Sequence, residues 1–351
     1  MVLTPAALAM AGFLVLTGCV AQQAPGADES SRGTGDPELL RLIRPSFPDG
    51  TRVAAAVIDD GDVRRAYLDA GASTVFETGS ITKVFTGELL AVAIERGEVR
   101  AGDELGKHLD LDDAPVASVT LRDLAAHQAG LPLFPTDPEL VERATADIEA
   151  GGDGIDASLD ELLTQARDVE LEPVHGSAYS NLGAALLGQA LAAAAGTDYG
   201  SLVAERLFEP LDLDGASVPL EDEDVSIQHA GGTDADGKPV EPSSLGAYAP
   251  GGGIHATIDD LVAFAAGVID GPLADSAAQT DTVDDGHRGS IGYFWNVADD
   301  HGDVILSHNG MTGGFASMLL IDRAAGTAAI VLSNRAESVD AVGEALLASL
   351  R

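Results

Sequence analysis

Thr78-Gly79-Ser80-Ile81-Thr82-Lys83 marks the point where the pattern of the chain changes. Before it, Thr51 to Asp59 and Asp62 to Leu68 read as two strands, joined at Asp60-Gly61, a dipeptide that favours a hairpin turn. After it, Ile81, Val84, Phe85, Leu89 and Val92 recur at helical spacing, and Gly97 can cap the end. The order is therefore strand, turn, helix, with Ser80 at the helix start. Positions i and i+3 of a helix share a face, which sets the Lys83 amine beside the Ser80 hydroxyl. A serine hydroxyl is a poor nucleophile until a neighbour takes its proton, and a lysine can do so when burial or nearby positive charge lowers its pKa. The helix N-terminus adds backbone donors for a developing oxyanion. Taken alone, the pair is equally compatible with an N-cap serine and a surface lysine. The only other lysines are Lys107 and Lys238, however, so a lysine three residues after a serine at such a junction is unexpected in this composition.

Further along, residues 101–242 carry helical patterns, among them Leu159 to Arg167, Asn181 to Ala195 and Gly200 to Leu207, broken by Gly, Pro and acidic loops. Beyond them, Val304 to Ser307, Ser317 to Ile321 and Ala328 to Ser333 are short apolar runs separated by turn residues, followed by a last helix over Ser338 to Leu350. Strands at both ends of a helical middle predict an α+β fold. In it, one antiparallel sheet is built from the N- and C-terminal segments and flanked by helices, with a mainly α-helical part inserted and the active site in the cleft between them.

Two more motifs bear on chemistry. Tyr179-Ser180-Asn181 precedes an apolar helical run, where a hydroxyl and an amide can project toward the cleft; alternatively it is an ordinary capped helix start. His308-Asn309-Gly310-Met311-Thr312-Gly313-Gly314-Phe315 follows a strand and has small positions that let a ligand approach the backbone, or it is a plain glycine-rich hairpin.

Together and in this order, the three motifs resemble the serine β-lactamase and penicillin-binding-protein superfamily, in the branch of class C β-lactamases, D-Ala-D-Ala carboxypeptidases and related esterases. The similarity runs from Glu38 to Leu350. It takes in Leu121-Arg122-Asp123-Leu124 through His127 to Gly130-Leu131-Pro132, Glu205 to Leu211, and Pro250-Gly251-Gly252-Gly253 through Asp260-Leu261. The resemblance implies that Ser80 is the acylated nucleophile, Lys83 its activating partner and Tyr179 the group that shuttles protons between serine and leaving group. It further implies that Asn181, His308, Asn309 and Gly310 bind substrate and that the backbone N–H groups of Ser80 and Met311 form the oxyanion hole. Asn309 stands where carboxypeptidases and β-lactamases commonly have a hydroxyl residue that helps bind the substrate carboxylate. His308-Asn309-Gly310 in place of Lys-Thr-Gly therefore ranks a carboxypeptidase- or esterase-like hydrolase of an amide or ester ahead of a true class C β-lactamase. A non-catalytic penicillin-binding-like sensing or binding lipoprotein is the alternative from another class.

Outward to the termini, Pro5 to Gly18 is an apolar run of signal-peptide length, shorter than the roughly 20 residues needed to span a bilayer. It ends at Leu16-Thr17-Gly18-Cys19, which resembles the lipobox of bacterial lipoproteins, with Cys19 as the lipidated residue. Residues 1–18 are then a signal peptide, 19–37 a flexible Gly-, Ser- and Pro-rich tether, and 38–351 the hydrolase, of which 38–100 and 243–351 form the α/β part and 101–242 the mainly helical part. This implies an extracytoplasmic protein held to the membrane through a lipid on Cys19. Since Cys19 is the single cysteine of the 351 residues, no intramolecular disulfide or cysteine-based metal site can form.

The 57 acidic against 19 basic residues give a net charge of -38, which repels phosphate backbones and argues against nucleic acid as a partner. No Gly-x-Ser-x-Gly elbow and no His-Glu-x-x-His occurs, so neither an α/β-hydrolase nor a zinc hydrolase is supported, and the scattered histidines predict no metal site. An acyl-enzyme route needs no cofactor; the expected partner is a small-molecule or peptidoglycan-like substrate.

Overall fold

The computed structural model describes residues 33–135, 141–146, 156–220, 224–286, 289–300 and 303–351. The expected signal peptide, Cys19 and most of the tether lie outside them. The compact unit begins at Gly33.

The apolar runs at the two ends of the chain combine into a nine-stranded antiparallel sheet. In chain order its strands are β1 (Thr34–Gly35), β2 (Val53–Asp59), β3 (Asp62–Leu68), β4 (Val283–Asp284), β5 (Ser290–Ile291), β6 (Asn296–Asp300), β7 (Asp303–Met311), β8 (Ala316–Asp322) and β9 (Thr327–Ser333). Across the sheet they run β1-β3-β2-β9-β8-β7-β6-β5-β4. N- and C-terminal segments meet at β2 and β9, where Val53 faces Ser333 and Asp59 faces Thr327. Asp60 and Gly61 turn the β2–β3 hairpin with positive φ at both positions, the backbone that a tight hairpin turn demands.

Strands β2, β8 and β9 are buried along almost their whole length because both sheet faces are covered, which is why they read as continuous apolar runs without alternation. Ala54, Ala56 and Ile58 point into the larger core with helices α2 (Thr82–Glu95), α5 (Asn181–Ala195) and α6 (Ile258–Ile269). Val53, Ala55 and Val57 point the other way, onto a smaller core with Leu39 and Ile43 of α1 (Pro37–Ile43) and Leu346 and Leu347 of α7 (Asp340–Ala348). The strand period of two thus builds three layers. The inserted region supplies α3 (Leu121–Ala125), α4 (Leu159–Asp168) and α5, the first two opened by capping boxes at Thr120–Asp123 and Ser158–Glu161.

The structure departs from expectation in three places. Thr34 and Gly35, read as tether, pair with Tyr67 and Ala66 of β3. Gly35 has φ +104, and a Cβ there would lie 2.3 Å from the Arg65 carbonyl oxygen, so a two-residue strand with no periodicity depends on this glycine. Ser80 lies in a single 3-10 turn, Gly79–Ile81, and the α-helix proper starts at Thr82. His308 to Met311 form the end of β7 and do not follow a strand that stops at Ser307.

Candidate active site

The tight turn before α2 is forced by close approach. Gly79 has φ +52, and a Cβ on it would sit 2.7 Å from the Met311 nitrogen; a Cβ on Gly310 would sit 2.1 Å from the Thr78 carbonyl oxygen and 3.0 Å from the Ser80 nitrogen. Two bare glycines therefore bring the Ser80 and Met311 backbones together from opposite ends of the chain. Ser317 on β8, opposite Gly310, donates to the Thr78 carbonyl at 2.7 Å and fixes the turn against the sheet.

Lys83, one turn on, is fully buried, and its Nζ lies 2.6 Å from Asn181 Oδ1, 2.5 Å from the Gly251 carbonyl oxygen and 3.1 Å from Ser80 Oγ. No carboxylate pairs with it among the described residues, and burial lowers its pKa to about 7. A neutral amine has two N–H groups and one lone pair. With both N–H groups donated to Asn181 and Gly251, the lone pair faces the serine, which is the geometry of a base.

Tyr179 comes from the other side and donates its hydroxyl to Ser80 Oγ at 2.6 Å. It is 42 % exposed, yet loss of solvent around its hydroxyl raises its pKa to about 12 against the opposing effect of the Ser80 bond, so it remains a proton donor at neutral pH. Ser180 is also a true N-cap: its Oγ accepts from the Gly183 N–H at 2.9 Å and donates to the Pro132 carbonyl at 2.6 Å. Ser180 thus caps α5, while its neighbours Tyr179 and Asn181 reach Ser80 Oγ and Lys83 Nζ.

His127 stands behind the tyrosine with φ +55, its Nδ1 accepting from the Ser180 N–H at 3.2 Å and its ring 4.7 Å from that of Tyr179. Burial, with Lys83 and His308 nearby, holds it well below the usual histidine range. His127 positions Tyr179 as a neutral imidazole.

Along the end of β7, alternation sorts the residues. His308 and Gly310 are buried, while Asn309 and Met311 are exposed, Met311 at 52 %. His308, expected to bind substrate, lines neither pocket beside Ser80; its ring lies 6.3 Å from Tyr179 and its Nδ1 2.6 Å from the Asn309 carbonyl oxygen. Burial first, and Lys83 second, lower it to about 4, so it too is neutral at pH 7. Asn309 Nδ2 donates to Asp340 Oδ2 at 3.0 Å.

Ser80 opens onto two pockets. One of about 200 Å³ is lined by Asn181, Phe134, Leu245, Tyr248 and the Gly251-Gly252 backbone. The other, of about 140 Å³, is lined by Tyr179, Asn309, Gly310, Met311, Ser338 and Asp340. Phe134, Leu245, Tyr248, Ser338 and Asp340 carry no recognisable chemical pattern in the sequence.

Among the described residues, two of the scattered histidines, His229 and His255, meet beside Glu77. Glu77 pairs with His255 across a two-residue ladder, Val75 bridges to His229, and the possible ligand atoms of Glu77, His229 and His255 lie within 4.8 Å of one another. The Gly231 N–H donates to His229 Nδ1 at 3.2 Å, which leaves the proton on Nε2, 3.3 Å from Glu77 Oε1. Burial would raise the Glu77 carboxyl, but the polar groups around it, first His229 and then His255, Thr312 and the Ser243 N–H, hold it below its ordinary value. The Ser243 N–H donates to Glu77 Oε1 at 3.0 Å, while His229 Nε2, both ring nitrogens of His255 and Thr312 Oγ1 are buried without a partner of hydrogen-bond geometry among the described residues.

The sequence model of the β-lactamase family matches residues 49–350. The chain belongs to the β-lactamase family. It is 28% identical over 319 residues to penicillin-binding protein 4 of Amycolatopsis lactamdurans, covering 80% of each chain. It is 27% identical over 190 residues to a β-lactamase of Escherichia coli K12, covering 54% of this chain and 46% of that one. Among solved structures, a class C β-lactamase superposes with a TM-score of 0.74 at 18% identity, over 89% of this chain and 95% of that one. A D-stereospecific amidohydrolase from Streptomyces sp. gives 0.72 at 21%, over 85% and 94%. The β-lactamase family member described here therefore has the β-lactamase/transpeptidase-like fold, with its large antiparallel sheet flanked by helices.

Proposed function

We propose that this protein is a serine hydrolase that forms an acyl-enzyme on Ser80 from an amide or ester, with carboxypeptidase- or esterase-like specificity. The observation that carries this is the placement of Ser80 Oγ between a buried, unpaired-by-acid Lys83 amine at 3.1 Å and the Tyr179 hydroxyl at 2.6 Å. In the first step the Ser80 proton passes to the neutral Lys83 amine while Oγ forms a bond to the substrate carbonyl carbon. The resulting oxyanion faces the backbone N–H groups of Ser80 and Met311. Tyr179 then gives its proton to the departing amine or alkoxide and regains one from Lys83. Water attacks the ester in the second step by the same proton path in reverse, returning free Ser80 and a carboxylic acid.

Asn181 holds Lys83 through its carbonyl and lines the larger pocket, which is suited to the acyl part of the substrate. The neutral His308, in place of a lysine, weighs against a true β-lactamase that grips a carboxylate. The relatives include penicillin-binding and D-alanine carboxypeptidase proteins, which favours a small-molecule or peptidoglycan-like substrate. The apolar run before Cys19 supports lipidation there and an extracytoplasmic, membrane-held location.

Intact-mass spectrometry of the protein with a penicillin, a cephalosporin, a short-chain ester and a D-Ala-D-Ala peptide tests the proposal, with Ser80→Ala alongside. A Ser80-dependent adduct or turnover is expected with the ester or the peptide. Turnover that survives in Ser80→Ala sinks the mechanism, and silence across the panel favours a binding module.

A further inference from the structure

Tyr179 must hand its proton to the leaving group, so the leaving group lies on the Tyr179 side of Ser80, in the smaller pocket. The residues that line that pocket are Ser80, Tyr179, Asn309, Gly310, Met311, Ser338 and Asp340. None of them is Lys, Arg or His. The one ionisable acid among them is Asp340, half-buried at the first residue of α7, where its carboxylate accepts from Asn309 Nδ2 at 3.0 Å. No basic side chain pairs with Asp340 among the described residues, and Asn309 offers it a neutral amide in place of a cation. Lys83 and His308, which lie 4.8 and 6.3 Å from the Tyr179 ring, are buried and both are shifted toward their neutral forms. The surrounding surface adds to this field, since the whole chain carries -38.

A substrate whose leaving group ends in a carboxylate would bring a second negative charge against Asp340 with no cationic side chain in the lining to offset it, whereas an ammonium group would find a partner there. From this juxtaposition we infer that the smaller pocket selects a leaving group bearing a positive charge, an amine or alcohol with a free ammonium, held by Asp340, and rejects one bearing a carboxylate. The inference rests on the serine hydrolase reading for which side the leaving group occupies, and on the pocket alone for its charge.

The test uses the full chain and three amides that share an N-acetyl-D-alanyl group and differ only in the amine: diaminopentane, pentylamine or aminohexanoate. Each is assayed as a substrate and as a competitor of a neutral nitrophenyl ester, so that binding is read even where an amide is not cleaved. The cationic compound is expected to exceed the anionic one by about tenfold or more in kcat/KM or in inhibition, with the margin shrinking at high salt. Asp340→Asn should remove the margin and Asp340→Lys should invert it. A flat or opposite ranking in the unmodified protein, or a ranking unchanged in both variants, overturns the inference. Ester turnover that survives Ser80→Ala instead overturns the serine hydrolase reading, and the charge ranking is then read from calorimetric binding of the same three compounds.

Discussion

The two walls that meet at Ser80 are built differently. On the α2 and α5 side, Lys83 is fully buried, Asn181 and Gly251 take up its N–H groups, and His127 braces Tyr179 from behind. On the β7 and α7 side, Asn309 and Met311 stand exposed, and the polar contact of Asn309 is to Asp340. Buried hydrogen-bonded groups are costly to alter singly, because each change leaves a partner unsatisfied, while exposed positions tolerate exchange. On the proposed mechanism, bond-making chemistry is held by the wall that resists change, and on the inferred leaving-group preference, selectivity by the wall that permits it.

The sharpest way to break this contrast is Lys83→Met. Loss of the base should slow acylation by about 1000-fold, within the range for general acid–base groups. In the unmodified protein the acylation rate should rise with pH through about 7, as Lys83 loses its proton, and the variant should lack that rise. Stability should respond to pH in the same sense, over a higher range. The folded Lys83 pKa lies below its ordinary 10.5, so between pH 7 and 10.5 the unfolded chain holds the proton that the folded chain has lost, and stability rises with pH. Below pH 7 the burial penalty is present in full. Any stability gained by Lys83→Met should therefore be greatest at or below pH 7 and shrink toward pH 10.5, as read by urea denaturation; a pH-independent difference contradicts the neutral buried amine.

Next in size, Tyr179→Phe should cut both acylation and release by about 100-fold in stopped-flow assays, since the same hydroxyl serves both steps. Unequal loss would separate the two roles. Smallest is Gly310→Ala, which tests the seam between the walls. Its Cβ would lie 2.1 Å from the Thr78 carbonyl oxygen, and overpacking of this kind costs about 1–3 kcal/mol in unfolding free energy. A variant as stable as the parent would show that the seam is looser than its geometry indicates.

Legibility in the sequence follows how local each signal is. Ser80 and Lys83 could be paired because a helix repeats every few residues, and β2, β3, β8 and β9 because long apolar runs bounded by turns have few other uses. Tyr179 was assigned by resemblance, since nothing local distinguishes it from a packed tyrosine beside an N-cap. The substrate-binding role of His308 likewise comes from resemblance; the strand continues to Met311, and its alternation buries His308. Asp340, the contact of Gly251 with Lys83 and the Glu77–His229–His255 cluster carry no signal in the sequence. They meet their partners only after the sheet closes, and no period in the chain encodes contacts across 30 to 180 residues.

The junction of β2 with β9 also sets when the protein can act. Val53 finds Ser333 across almost the whole folded length, and the Met311 backbone arrives only with the late strands. Contacts so distant in sequence form late. On the proposed mechanism, an incomplete chain can carry Ser80, Lys83 and Tyr179 and still lack the Met311 N–H, so acylation waits until the late strands have been made and folded back.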